Sequence, residues 1–296
     1  MVDEGDVRGK GWYRVARLRI GRLEDLSCLP IFLPLARGAV PLEADYVPGV
    51  PAELDALLLA GEVDVAPLSA IQYARHQAQF WLLPDISVSE EGRAGTVLFF
   101  SRLPVTELDG RTVAASPVSA TGTALLQVLF ANYYHVDARV IVMEPDPDSM
   151  LAAADGALIT GDQALLVREE LRDRRPDLLV TDLGEVWKTF TGERMVYTVW
   201  AVRRDFARDH PGAVAELVAA LKKAREVGWA SREDLVAEAA RRLPLPPRVI
   251  EDYLQQVNHD FGEGHRRALL LFYDYAYKTG LTDERVRLEV WGEGGP

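Results

Sequence analysis

Short apolar runs alternate with helix signals along this chain, and that alternation constrains its fold more than any other feature. Residues 97–130 show it clearly: runs 98–100 and 112–115 predict strands, and an apolar helix at 124–130 follows the small and hydroxyl residues 119–123. Strands that alternate with helices favour an α/β fold with parallel sheets. A helix start with free backbone N–H groups and no bulky side chains is suited to hold an anion.

The same order of signals occurs in both halves of the chain. In the first half, Pro51 and Gly61 bracket a helix, since proline favours the first turn and glycine the end. A strand at 63–66 then leads into a helix at 70–77. In the second half, a helix at 149–154 precedes a strand at 157–160 and a helix at 163–171. The repetition predicts two similar α/β lobes.

The rest of the chain predicts a return to the first lobe. Residues 195–202 are an apolar strand, and helical patterns fill 209–225 and most of 231–280. We therefore expect a discontinuous lobe one, residues 1–98 plus 200–296, and a lobe two of residues 99–199, joined by two hinge crossings. Ligands of open α/β sheets bind beyond the carboxyl ends of strands, so a ligand cleft is predicted between the lobes.

Composition and charge argue against several classes of protein. The 296 residues carry a formal net charge of −12, which disfavours nucleic-acid binding, because that needs a basic face. Cys28 is the only cysteine, and the five histidines share no metal-ligand spacing, so no disulfide and no metal site are expected. The chain shows no secretion signal and no apolar run near ~20 residues, so a cytoplasmic protein without a membrane partner is predicted.

Nine short motifs in a fixed order give the chain a family resemblance. They are residues 19–21, 26–30, 61–67, 83–87, 108–113, 119–121, 159–162, 182–187 and 199–205. With these motifs the chain resembles the type 2 periplasmic-binding-protein fold. More specifically, from about Arg17 to Leu288 it is similar to the chorismate dehydratases of menaquinone biosynthesis by the futalosine pathway.

The resemblance implies a function. Members of that family remove water from chorismate and give 3-[(1-carboxyvinyl)oxy]benzoate, driven by aromatisation of the ring, with no metal or organic cofactor. It also implies that a carboxylate of the substrate is able to act as the base. The alternative is a non-catalytic binding or sensor protein for a small aromatic or cyclic carboxylic acid, because fold alone does not separate the two. The sequence does not predict an oligomeric state.

Three positions depart from the family pattern. Ser27 stands where the family usually has Asn, Thr96 where it usually has Ser, and Gly122 where it often has Ser. Ser27 and Thr96 keep a hydroxyl, but serine lacks the two donors of the amide.

Candidate site residues are small, polar and placed after predicted strands. The expected catalytic residues are Ser27, Thr96 and Asp162, of which Asp162 would hold the substrate hydroxyl or transfer a proton. The expected substrate-binding residues are Ser69, Ser119, Ala120, Thr121, Gly122 and Arg22, whose guanidinium is able to bind a carboxylate bidentately. The competing interpretation is structural, because serine, threonine and aspartate also cap helices and threonine also favours strands.

Overall fold

Two β-sheets organise residues 17–293, the part of the chain that this computed structural model describes. The strands are β1 (Leu18–Leu23), β2 (Ala44–Gly49), β3 (Val65–Ser69), β4 (Phe80–Glu90), β5 (Val97–Ser101), β6 (Thr112–Ala115), β7 (Arg139–Val142), β8 (Gly156–Thr160), β9 (Leu179–Asp182), β10 (Met195–Arg203) and β11 (Val257–Asn258). The six-stranded sheet has the order β11-β4-β10-β3-β1-β2, and the five-stranded sheet has the order β7-β6-β8-β5-β9.

Twelve α-helices accompany these strands within the described residues. They are α1 (Leu29–Ala36), α2 (Pro51–Ala60), α3 (Ala70–His76), α4 (Ala120–Leu129), α5 (Pro147–Ala153), α6 (Asp162–Arg174), α7 (Leu183–Thr191), α8 (Arg204–Asp209), α9 (Pro211–Ala230), α10 (Arg232–Arg242), α11 (Pro247–Gln256) and α12 (Glu263–Lys278). None of them is long and apolar enough to cross a membrane.

Both sheets are mixed, where the sequence pattern predicted parallel ones. The parallel pairs are β1 with β2 and β3, and β6 with β7 and β8. The strands β5 and β10 run antiparallel to their neighbours. The chain enters each of these strands directly from the other lobe. A parallel strand needs a crossover connection within its own lobe, usually a helix, and these two strands have none.

The chain changes sheets in short connections. It leaves the six-stranded sheet after Glu90, joins the five-stranded sheet at Val97, and returns between Thr191 and Met195. The expected boundaries, 98/99 and 199/200, therefore fall inside β5 and β10. A strand keeps one continuous hydrogen-bond ladder, so the change of sheet occurs in the loop before it.

Local signals account for several helix ends. Pro51 opens α2, and Gly61 follows its end at φ 75°, a conformation that favours glycine. The carboxylate of Asp182 accepts from the backbone N–H groups of Gly184 and Glu185 and so caps α7.

The two lobes are packed against each other. One buried apolar cluster includes side chains from both sheets. Trp187 of α7 lies edge-on to Phe272 and Tyr275 of α12, with ring centroids 6.0 and 5.8 Å apart. The lobes are therefore closed over the space between them.

Candidate active site

A pocket with a cavity volume of about 60 Å³ lies between the two lobes, where strand ends of both sheets meet. Five of the nine predicted site residues line it: Ser27, Ser69, Thr96, Ser119 and Asp162. Six polar residues that sequence analysis missed line it as well: Asp25, Glu90, Thr160, Tyr197, Thr198 and Tyr253. Among the described residues, none that lines this pocket is Arg, Lys or His.

The other predicted residues lie outside the pocket lining. Arg22 pairs with the exposed carboxylate of Glu24. Thr121 is fully buried, and its hydroxyl oxygen accepts a hydrogen bond of 3.3 Å from the backbone N–H of Ile71 in α3. Thr121 therefore joins α4 of one lobe to α3 of the other.

The position of the start of α4 depends on a glycine, Gly122. A Cβ on Gly122 would lie 2.8 Å from the methyl group of Thr160, a pocket residue. Glycine here lets α4 begin close to β8, which gives the departure from the family pattern a physical reason. The hydroxyl of Ser119 accepts from the backbone N–H of Gly122 and caps the helix. Ala120 forms the first residue of α4 beside it.

The turn after β1 presents Ser27 on a buried carboxyl group. The carboxyl of Asp25 accepts from the backbone N–H of Ser27 at 3.0 Å, and the hydroxyl of Ser27 donates to the same oxygen. Burial raises the pKa of Asp25, and the hydrogen bonds from Ser27 and Cys28 oppose that rise.

A buried histidine fixes the backbone of Ser27 from behind. His259 Nε2 lies 2.6 Å from the carbonyl oxygen of Ser27, and the indole N–H of Trp229 lies 3.3 Å from His259 Nδ1. Because the indole only donates, Nδ1 accepts and Nε2 carries the proton. Burial lowers the pKa of His259 to about 4, so the ring is neutral near pH 7. His259 is a positioning residue.

Asp162 connects the lobes at the first position of α6. Its two carboxyl oxygens lie 3.0 and 3.2 Å from the backbone N–H of Leu26. Burial, and then the nearby Asp25, raise the pKa of Asp162 to about 8, although the hydrogen bond from Leu26 opposes this. Near pH 7 Asp162 is therefore mostly protonated and able to donate a proton into the pocket.

Glu90 was not predicted, although it lies deep in the site. It ends β4, and a charged residue at a strand end is usually exposed, so the sequence offers no signal of its burial. Burial, followed by the charges of Asp182 and Asp25, raises its pKa well above the usual range, against a hydrogen bond from Thr96. Three buried oxygens, Glu90 Oε2, Thr160 Oγ1 and the Tyr197 hydroxyl, have no hydrogen-bond partner among the described residues.

The pocket therefore combines hydroxyl groups with carboxyl groups whose pKa is raised by burial. Such a set is able to donate hydrogen bonds to an anion and to supply a proton to a leaving group. Residues 17–293 contain no cluster of His, Cys, Asp and Glu suited to hold a metal ion.

Comparisons with known proteins agree with this geometry. A model of the family described as "Menaquinone biosynthesis" matches residues 18–278. The chorismate dehydratase of Thermus thermophilus is 33% identical to this chain over 234 residues, which is 75% of this chain and 83% of that protein.

Solved structures show the fold. A protein of Archaeoglobus fulgidus has a TM-score of 0.72 at 18% identity, covering 91% of this chain and 100% of that one. The periplasmic aliphatic sulphonate binding protein of Escherichia coli has a TM-score of 0.66 at 17% identity, covering 93% and 97%. The predicted periplasmic-binding-protein-like α/β fold is confirmed. Since the family model matches most of its length, the chain belongs to the menaquinone biosynthesis family.

Proposed function

We propose that this protein is a chorismate dehydratase, a carbon–oxygen lyase that converts chorismate to 3-[(1-carboxyvinyl)oxy]benzoate and water. Its membership of the menaquinone biosynthesis family and its similarity to a chorismate dehydratase support the proposal. The observation that carries it is the position of Asp162, a half-buried acid that faces an interlobe pocket and whose pKa is about 8.

Binding would rely on uncharged donors. Chorismate carries two carboxylates, and the hydroxyls of Thr160 and Tyr197, which line the pocket, have no hydrogen-bond partner among the described residues. In a closed and partly dry cleft, hydrogen bonds to a charged acceptor are worth about 1.5–3 kcal/mol each. Fixed donors also hold the ring in one orientation, which lowers the entropic part of the barrier.

The elimination requires one proton to leave carbon and one to reach oxygen. The proton on ring carbon 3 passes to a carboxylate of the substrate, because Asp162, with a pKa of about 8, is mostly protonated near pH 7 and so is not available as the base. The bond between carbon 4 and its hydroxyl oxygen breaks, and Asp162 protonates the departing oxygen. The released ring proton returns to Asp162, so no net proton is consumed.

The direct test is turnover of chorismate by the purified protein after dialysis against a chelator. Mass spectrometry should detect a product lighter than chorismate by the mass of one water, with the retention time of authentic 3-[(1-carboxyvinyl)oxy]benzoate. A protein-free blank corrects for the spontaneous decay of chorismate. Saturable binding with no product at high protein concentration would instead support a non-catalytic binding protein.

Two expectations from the sequence stay predictions. A cytoplasmic location is tested by cell fractionation with an antibody to the protein. Independence from metal and organic cofactors is tested by the same turnover assay, with and without the chelator and with added divalent cations.

A further inference from the structure

Glu90 has a buried carboxyl group, and the residues around it do not satisfy all of its hydrogen-bonding capacity. It is the last residue of β4, its side chain is 2% exposed, and it lines the interlobe pocket. Its Oε2 atom has no hydrogen-bond partner among the described residues. A buried polar atom without a partner costs about 1–3 kcal/mol, so a structural role alone leaves this arrangement unfavourable.

The groups that face Glu90 are acidic or neutral. Asp25 and Asp182 raise its pKa through their charge, and Thr96 forms a hydrogen bond with it. The phenols of Tyr197 in β10 and Tyr253 in α11 line the same pocket. Asp182 is itself held by backbone N–H groups, including those of Ala94 and Gly95 at 3.0 and 2.7 Å.

The two cations that lie beside the next residue, Glu91, are paired with its carboxylate. Lys188 of α7 and Arg194, just before β10, bind the two carboxylate oxygens of Glu91, each at 3.0 Å. Arg194 also lies 3.0 Å from His265 of α12. No cation is among the groups whose charge acts on Glu90, so its surroundings favour the protonated form of the carboxyl group.

We propose that Glu90, in its protonated form, donates a hydrogen bond from its carboxyl group to a carboxylate of the bound substrate and so selects an anionic ligand in a pocket lined by no cation. The inference rests on the proposed function for the identity of that substrate. A hydrogen bond from a neutral acid to a carboxylate is charge-assisted and short, and it gives Oε2 the partner that the closed cleft lacks.

The proposal makes substrate affinity depend on one proton. As pH rises through the pKa of Glu90, the donor is lost and a negative charge faces the substrate, so KM should rise while kcat changes less. Glu90→Gln keeps a neutral donor that does not titrate. We expect its KM near pH 6.5 to stay within about threefold of the native value and to lose the alkaline rise, whereas Glu90→Leu should raise KM about 10- to 100-fold.

Glu91→Gln is the matched control, because it makes the same chemical change one residue along at an exposed ion pair. Its KM and pH profile should match those of the native protein. Thermal unfolding of each variant shows whether it is folded. If KM of Glu90→Gln still rises with pH as in the native protein, or if folded Glu90→Leu binds as tightly as the native protein, the proposal is overturned.

Calorimetry with the product acid separates this inference from the proposed function. Titrated above the pKa of Glu90 in two buffers of different ionisation enthalpy, the native protein should take up one proton on binding and Glu90→Gln should take up none. This holds whether or not chorismate is turned over, so a native protein that binds the acid without turnover overturns the proposed function alone. Equal proton uptake by the two proteins overturns the role of Glu90.

Discussion

Two segments follow the carboxyl ends of equivalent strands and look alike in sequence, yet they differ in what they contact. The turn after β1, residues 25–28, presents Ser27 to the pocket on the buried carboxyl of Asp25. The start of α4 after β6 has more hydroxyls, but Thr121 accepts from Ile71 of the opposite lobe and Ser119 caps its own helix.

The two segments have different roles: one lines the ligand pocket and the other holds the two lobes together. A helix start rich in small hydroxyl residues is suited to either role, so its sequence does not distinguish them. In this protein the carboxyl groups of Asp25, Glu90 and Asp162 face the pocket, while the hydroxyl of Thr121 connects the two lobes. The following predictions test that division, from the largest expected effect to the smallest.

Replacing the acid should have the largest effect on the reaction. Asp162→Asn keeps an acceptor for the Leu26 N–H but removes the proton donor, so kcat should fall about 100- to 1000-fold with KM changed little. Steady-state kinetics at pH 6.5 measure this, and Asp162→Glu is the control that restores an acid. A kcat within threefold of the native value would exclude Asp162 as the general acid.

The same variant should change how stability depends on pH. The folded pKa of Asp162 is about 8, above its usual value of 3.8, so the folded state binds more protons between these values. The stabilisation is fully present below pH 3.8 and is lost as pH rises through about 8. Asp162→Asn should therefore be more stable than the native protein by about 5 kcal/mol at pH 8, and nearly equal to it at pH 4. Urea unfolding at both pH values measures the difference.

Breaking the contact between the lobes should act on closure rather than on chemistry. Thr121→Val leaves the buried N–H of Ile71 without an acceptor, so the free energy of unfolding should fall by about 1–3 kcal/mol. KM should rise about fivefold, because the closed form is less populated, with kcat nearly unchanged. Thr121→Ser keeps the hydroxyl and should restore both quantities. A drop in kcat that Ser does not rescue would place Thr121 in the chemistry instead.

Arg22 should matter least. Its guanidinium binds the exposed Glu24 carboxylate at 2.7 Å and lies outside the pocket, and exposed ion pairs contribute about 0–1 kcal/mol. Arg22→Ala should leave kcat/KM within twofold of the native value. A KM increase of tenfold or more would show that an open form of the cleft brings Arg22 to the substrate.

Features that depend on neighbouring residues can be predicted from the sequence, whereas features that depend on residues far apart in the chain cannot. The bounds of α2 depend on Pro51 and Gly61 and the cap of α7 depends on Asp182, so neighbouring residues suffice to predict them. The mixed sheets were missed because the direction of β5 and β10 depends on where the chain re-enters each lobe. Asp162 was chosen from its place after a strand, but its raised pKa depends on Asp25, which lies on the opposite side of the cleft.

The sequence alone determined the alternation of strands and helices, the two-lobe α/β class and the small hydroxyl residues at the strand ends, because these follow from local periodicity and from the conformational preferences of proline, glycine and capping residues. Only the tertiary structure decided which of those hydroxyls face the pocket, that Thr121 joins the lobes, and that the pKa values of Glu90 and Asp162 are raised. Burial and the electrostatic effect of one carboxyl group on another depend on which distant residues meet, and no spacing along the chain encodes them.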